Sequence, residues 1–274
     1  VILCTDGDFN VGITSSSELV ERIRREARSG VYLTVLGFGM GNLKDSKLEQ
    51  LADHGNGNYA YIDTKHEARK VLVEEAGATL VTIAKDVKIQ VEFNPDRVEA
   101  YRLIGYENRR LESRDFNDDT KDAGEIGAGH TVTALYEIVP AGSPVDVPAV
   151  DELRYSRVAP TEASLESGEL LTVKVRYKEP TSHTSRLVRL AVVDEGLSLA
   201  SASPDFRFAA AVAAFGMQLT GSEHLGEFGG ERIAELAESG ARTDRDGHRT
   251  EFLSLVRKAN ELRPPVAAAV HESP

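Results

Sequence analysis

The chain has 274 residues, 41% of them hydrophobic and 28% charged, with 44 acidic against 32 basic side chains and a net charge of −12. This composition supports a buried core and excludes wholesale disorder, while the acidic balance argues against nucleic acid, which is bound by clustered positive charge. No apolar run reaches the roughly 18 residues a membrane helix needs, and the single cysteine, Cys4, excludes an internal disulfide and a cysteine-cluster zinc site.

The chain opens with Val1 inside an apolar run, residues 1–5, with no basic leader or cleavage site before it. A strand entered midway suggests a piece of a larger chain. Asp6-Gly7-Asp8 closes the run. Residues 17–29 then carry Leu19, Val20, Ile23 and Ala27 at helical spacing, and Gly30 stands where a helix ends. Strands are predicted at 31–38 and 59–62, a short helix at 45–52 with Leu48 and Leu51 inward, and a long helix at 65–84. This alternation predicts an α/β unit: a parallel sheet with helices on its faces.

Near residue 86 the period changes. Val87, Ile89, Val91 and Phe93 alternate with Lys88, Gln90 and Glu92, which predicts a strand with a buried apolar face and a wet charged one. Further strands are predicted at 98–104, 131–139, 170–177 and 187–193, with Tyr101, Tyr106, Tyr136 and Tyr177 in the core. Residues 86–200 therefore read as an antiparallel β-sandwich, with an exposed Pro/Gly/Ser-rich excursion at 141–148. From Ser203 the chain turns helical. Ser203-Pro204 is an N-cap followed by proline at the first helical position, and the nearly all-apolar helix after it is expected to be buried. Helices at 231–239 and 250–262 follow, and 266–274 reads as a frayed tail. The expected organisation is 1–85, 86–200 and 201–274.

Several residues could carry chemistry. Asp6 stands at the carboxyl end of the first strand, where open parallel sheets collect ligands, with Asp8 and Asn10 as a possible rim; a plain Asp-Gly turn is the bland alternative. Asp115, Asn117 and Asp119 begin like a Ca²⁺-binding EF-hand loop. Thr120 then stands where glycine is needed and Ile126 where glutamate is, so a solvated loop or one held by Asx turns competes with a weak Ca²⁺ site. Gly37, Gly39 and Gly41 follow a strand, but Asn42 breaks the dinucleotide fingerprint. The seven histidines show no metal spacing, no Gly-x-Ser-x-Gly elbow is present, and Cys4 reads as a small buried hydrophobe.

Longer motifs narrow the choice. Val1-Ile2-Leu3-Cys4-Thr5-Asp6-Gly7-Asp8-Phe9-Asn10-Val11-Gly12, then Gly37-Phe38-Gly39-Met40-Gly41-Asn42 and Gly55-Asn56-Gly57-Asn58-Tyr59-Ala60-Tyr61-Ile62, resemble the fourth to sixth strands of a von Willebrand factor type A domain. Tyr101-Arg102-Leu103-Ile104-Gly105-Tyr106-Glu107-Asn108, the acidic stretch 115–127 and Asp205-Phe206-Arg207-Phe208 with its alanine-rich continuation resemble bacterial YfbK-like proteins. The resemblance implies half of an A domain followed by the family's β-rich carboxyl-terminal part, in a non-catalytic binding or scaffolding protein with a protein ligand. It also implies a metal-ion-dependent adhesion site for Mg²⁺ or another divalent cation, in which Asp6 matches the third of three loops. The other two loops would lie before Val1, so weak cation binding is expected here. The resemblance suggests the bacterial cell envelope or exterior. The rival expectation is a Rossmann-like nucleotide-binding or enzymatic domain, supported by the α/β pattern and the Gly37–Gly41 run.

Overall fold

The computed structural model describes residues 1–7, 15–39, 44–106, 110–121, 123–145, 168–226 and 228–262. Strand β1 (Ile2–Thr5) pairs in parallel with β2 (Thr34–Phe38), and β2 with β3 (Tyr59–Ile62), in the order β1-β2-β3. Parallel strands need crossovers, and helices α1 (Ser16–Arg28) and α2 (Asp45–His54) lie in the connections. Both faces of the central strand are covered: Val35 packs with Ile23, Leu48 and Leu51, and Leu36 with Ile62 and Val71. β1 is the sheet margin. The Ile62–Val71 cluster covers β2 and β3 and does not reach it, so Cys4 is exposed rather than buried and Ile2 is 40% exposed.

The long helix expected at 65–84 is broken. Helix α3 (Lys65–Arg69), capped by Thr64 Oγ1 accepting from Glu67 N, passes into a π-helical turn at Lys70–Glu74 and then α4 (Ala76–Leu80), and strand β4 (Thr82–Phe93) begins at once. Two causes act together. The β-branched run Val81-Thr82-Ile83 favours extended backbone. Strand β6 (Gly124–Gly127) also comes so close that a Cβ on Gly127 would stand 1.7 Å from the Ala78 carbonyl oxygen, and Ala128 N donates to Val81 O at 2.8 Å. β6 is poor in strand formers, and no sequence pattern announced it.

β4 joins a four-stranded sheet, β6-β4-β8-β9, with β8 spanning Glu169–Lys178 and β9 Arg186–Val193. β4 runs antiparallel to β6, with register shifts around Asp86, whose φ of 52° is left-handed. The expected buried apolar face and wet charged face of β4 do not hold at its centre, where Lys88 is 3% exposed and Ile89 is 50% exposed; Val87, Val91 and Phe93 are partly covered and Glu92 is exposed. The ammonium is covered because Lys88 Nζ donates to the backbone carbonyls of Asp115 and Asp118.

The other expected strands form a separate pair, β5 (Val98–Ile104) antiparallel to β7 (Leu135–Pro140). Tyr101 and Tyr106 are exposed rather than core, and Tyr101 stacks on Phe93 with centroids 4.2 Å apart. Of the excursion at 141–148, residues 146–148 lie outside the described residues, as does the tail at 266–274.

Helix α5 (Pro204–Thr220) starts where Ser203 Oγ accepts from Phe206 N at 3.1 Å and stops at left-handed Gly221. Its small residues let α6 (Gly230–Gly240) approach, and α7 (His248–Leu262) completes the cluster around Ala211, Ile233, Ala237, Leu253 and Val256. The expectation of all-round burial fails. Packing covers one face of α5 and leaves Phe206, Val212 and Leu219 exposed.

By backbone proximity the chain divides into two compact units, each assembled from separate stretches. One comprises Val1–Glu92, Leu111–Val132 and Leu171–Ala191; the other comprises Phe93–Arg110, Thr133–Leu170 and Val192–Pro274. They run across the linear divisions at 85 and 200. Among the described residues no helix is long and apolar enough to cross a membrane.

The approach of β6 to α4 is directly testable. Gly127→Ala should cost about 1–3 kcal/mol in urea unfolding, the usual range for overpacking. Gly216→Ala, in a helix with nothing within 4 Å of the added methyl, should be neutral or stabilising by up to about 1 kcal/mol. Equal effects at the two positions would contradict the packing described.

Candidate functional site

The carboxyl ends of the parallel strands form one rim. Asp6 follows β1 and is exposed, and Gly7 N donates to Thr5 Oγ1 at 3.1 Å in a turn where Gly7 has φ 95°. Gly39, at the end of β2 with φ 101°, faces the aspartate: a Cβ on it would lie 4.0 Å from Asp6 Cβ. From β3, the Tyr61 hydroxyl donates to Gly39 O at 2.8 Å and holds that backbone in place. The neighbouring Tyr59 hydroxyl donates to Asp45 in the first turn of α2; burial first, and then that bond, raise the Tyr59 pKa well above the ordinary phenol value. Asp8 and Asn10 lie outside the described residues.

Mg²⁺ takes near-octahedral oxygen coordination from several ligands and waters. Among the described residues, Asp6 is not gathered with two further carboxylate, imidazole or thiol ligands close enough to share an ion. The described donors therefore do not fit a complete Mg²⁺ site. The glycine run behaves differently from a phosphate loop: Gly37 lies inside β2, leaving Gly39 to make the turn, and Gly41 is outside the described residues.

The acidic stretch is built around protein cations. Lys88 is held by the carbonyls of Asp115 and Asp118, and Lys178, 8% exposed, donates to Asp86 Oδ2 at 2.6 Å and to Asp119 O at 2.8 Å. Arg176 donates to Asn117 Oδ1 at 2.9 Å and to Ser185 Oγ at 2.8 Å, and its guanidinium lies 5.6 Å from the ring centroid of buried Phe116. Asp118 Oδ1 accepts from the backbone and hydroxyl of Thr120, an Asx turn, and Asp119 Oδ2 accepts from Ser185 N. Asp115, Asn117 and Asp119 are thus adjacent in space as in sequence, with oxygens turned to lysine, arginine and backbone donors. Sequence reasoning missed Lys88 and Lys178 as the organising residues. The only available signal was a pair of strand lysines together with a loop rich in Asp and Asn.

These bonds fix the direction of titration. Hydrogen bonds from Thr120 hold the Asp118 pKa below the ordinary carboxyl value, and those from Ser185 do the same for Asp119. A depressed folded-state pKa contributes stability that is present above the unfolded value of about 4 and is lost as pH falls through the folded value. Urea midpoints should therefore fall as pH drops below about 4, and Asp119→Asn, which keeps an acceptor but cannot titrate, should flatten that slope. Since the loop oxygens already serve protein donors, millimolar Ca²⁺ should leave the melting temperature unchanged. A clear rise that Asp119→Asn abolishes would restore the Ca²⁺ reading.

Comparison with known proteins adds three findings. Residues 78–262 match the family model described as the C-terminal region of the uncharacterized protein YfbK. The uncharacterized protein YfbK of Escherichia coli (strain K12) is 42% identical over 260 residues, covering 95% of this chain and 44% of that protein, so the chain spans less than half the length of this relative. A solved structure, von Willebrand factor type A from Catenulispora acidiphila, aligns with 96% of this chain and 59% of its own at 14% identity and a TM-score of 0.37.

Proposed function

The chain belongs to the family of the YfbK C-terminal region, and on that footing we propose that it is part of a non-catalytic binding or scaffolding protein whose ligand is another protein. In this reading Asp6 supplies one oxygen of a divalent-cation adhesion site, with Asp8 and Asn10 at its rim. The supporting observation is the placement of Asp6 at the carboxyl rim of a parallel sheet, beside a glycine that leaves the approach open. One carboxylate does not hold Mg²⁺, so the remaining oxygens must come from elsewhere in a longer polypeptide. The bacterial cell envelope or exterior is the compartment that accords with this reading. A catalytic role has less support, because the buried lysines and the acidic loop are engaged with one another.

Calorimetry tests the incomplete site. Mg²⁺ should bind the 274-residue chain no more tightly than millimolar, and Asp6→Ala should not change the heat. Micromolar affinity abolished by Asp6→Ala would mean that this chain completes the shell by itself. In a polypeptide of the relative's full length, the same substitution should weaken Mg²⁺ binding at least tenfold. No effect there would remove Asp6 from the site.

A further inference from the structure

A recess of about 270 Å³ lies at the amino ends of the parallel strands, the end opposite Asp6. Tyr32 and Asn56, which precede β2 and β3, line it together with Lys85 and Asp86 of β4, Glu125 of β6 and Lys178 of β8. All of them belong to the first of the two compact units. The volume falls just under the roughly 300–1,000 Å³ of pockets for drug-sized ligands, so the recess suits a small one. Its backbone is bent where the side chains meet. Of the three left-handed residues other than glycine among the described residues, two line it, Asn56 at φ 51° and Asp86 at φ 52°. Such conformations cost free energy and cluster at ligand sites.

Charge identifies the ligand class. Three basic side chains, Arg28, Lys85 and Lys178, stand against two carboxylates here, in a chain whose net charge is −12. Both carboxylates are engaged: Asp86 Oδ2 accepts from Lys178 at 2.6 Å, and Glu125 Oε1 from Asn56 Nδ2 at 3.4 Å. Lys178 is committed further to Asp119 O. The side chains of Arg28 and Lys85 make no hydrogen bond or ion pair among the described residues. The Glu26 and Ala27 carbonyls at the end of α1, which would repel an anion, are taken by the N–H groups of Ser29, Gly30 and Val31. Two uncompensated cations match a group of charge about −1.5 to −2, which a phosphate monoester carries at neutral pH and a single carboxylate does not. A guanidinium also presents a fork that phosphate oxygens fill. We propose that this recess binds a small phosphate or phosphomonoester, held by Arg28 and Lys85, with Asn56 and His183 as further donors. The proposal goes beyond the adhesion site and is independent of it, since Asp6 stands at the other end of the sheet.

Titration calorimetry on the 274-residue chain, at low salt and without Mg²⁺, tests it. Inorganic phosphate should bind saturably in the millimolar range or tighter, and Arg28→Gln and Lys85→Gln should each weaken it roughly tenfold, the usual worth of a hydrogen bond to a charged group. Arg25→Gln, exposed on the same helix but outside the recess, should leave the affinity unchanged. Should Lys85→Gln not fold, as judged by its melting temperature in chloride, His183→Ala in the exposed turn after β8 takes its place, with a smaller loss. Tighter binding of glycerol 3-phosphate than of phosphate would identify the ligand as a phosphomonoester, and equal binding as the free ion. Acetate binding as tightly as phosphate would overturn the proposal. So would the same phosphate affinity in Arg28→Gln and Arg25→Gln, which would mean diffuse surface charge, and so would the absence of saturable binding.

Discussion

Two lysine ammonium groups are buried beneath an acidic loop, and they tie strands β4 and β8 to it. A buried charge is tolerated when it is paired and fully hydrogen-bonded. Lys88 finds two backbone carbonyls, and Lys178 is paired with the Asp86 carboxylate and bonded to one carbonyl. Those contacts cover Lys88 and Lys178, while Ile89 of β4 stays half exposed and Val87, Val91, Val173, Val175 and Tyr177 are partly covered. Asp86 helps to set this geometry. Its left-handed backbone at the register shift is a conformation that aspartate adopts more readily than bulkier residues, and the bend places its carboxylate against Lys178.

The parallel sheet is governed by a different rule, exclusion of water from a central strand. Val35 and Leu36 are 0% and 1% exposed, one on each face of β2. Local periodicity is enough to specify such a layer, which explains why its strands and helices were legible residue by residue. Leu48 and Leu51 face inward as their spacing required, Ser203 caps α5, and Asp6 stands at its strand end. What periodicity does not contain is which neighbours an element acquires. Cys4 has the sequence of a buried strand residue, yet it lies on a margin. Positions 65–84 have a helical pattern, yet the approach of Gly127 to Ala78 ends the helix early.

Strand β4 shows the limit most clearly. Alternation defines two faces without saying which is covered, and the usual assumption assigns cover to the apolar one. Here the loop near residue 115 takes the charged face, through carbonyl oxygens that no composition count can weigh. The same loop looked like the start of a Ca²⁺ site because its residue types suit a cation. The cations it meets are lysine and arginine side chains of its own unit.

The rim at Asp6 and the sheet at β4 therefore share a physical character. Each lies at the surface: an exposed aspartate at the rim, and the half-exposed Ile89 on the sheet. Neither costs much while exposed, since water solvates the carboxylate and the ladder and lysine cage hold the sheet. A unit whose own core is placed elsewhere, between β2 and its flanking helices, can offer both surfaces without depending on either for its fold.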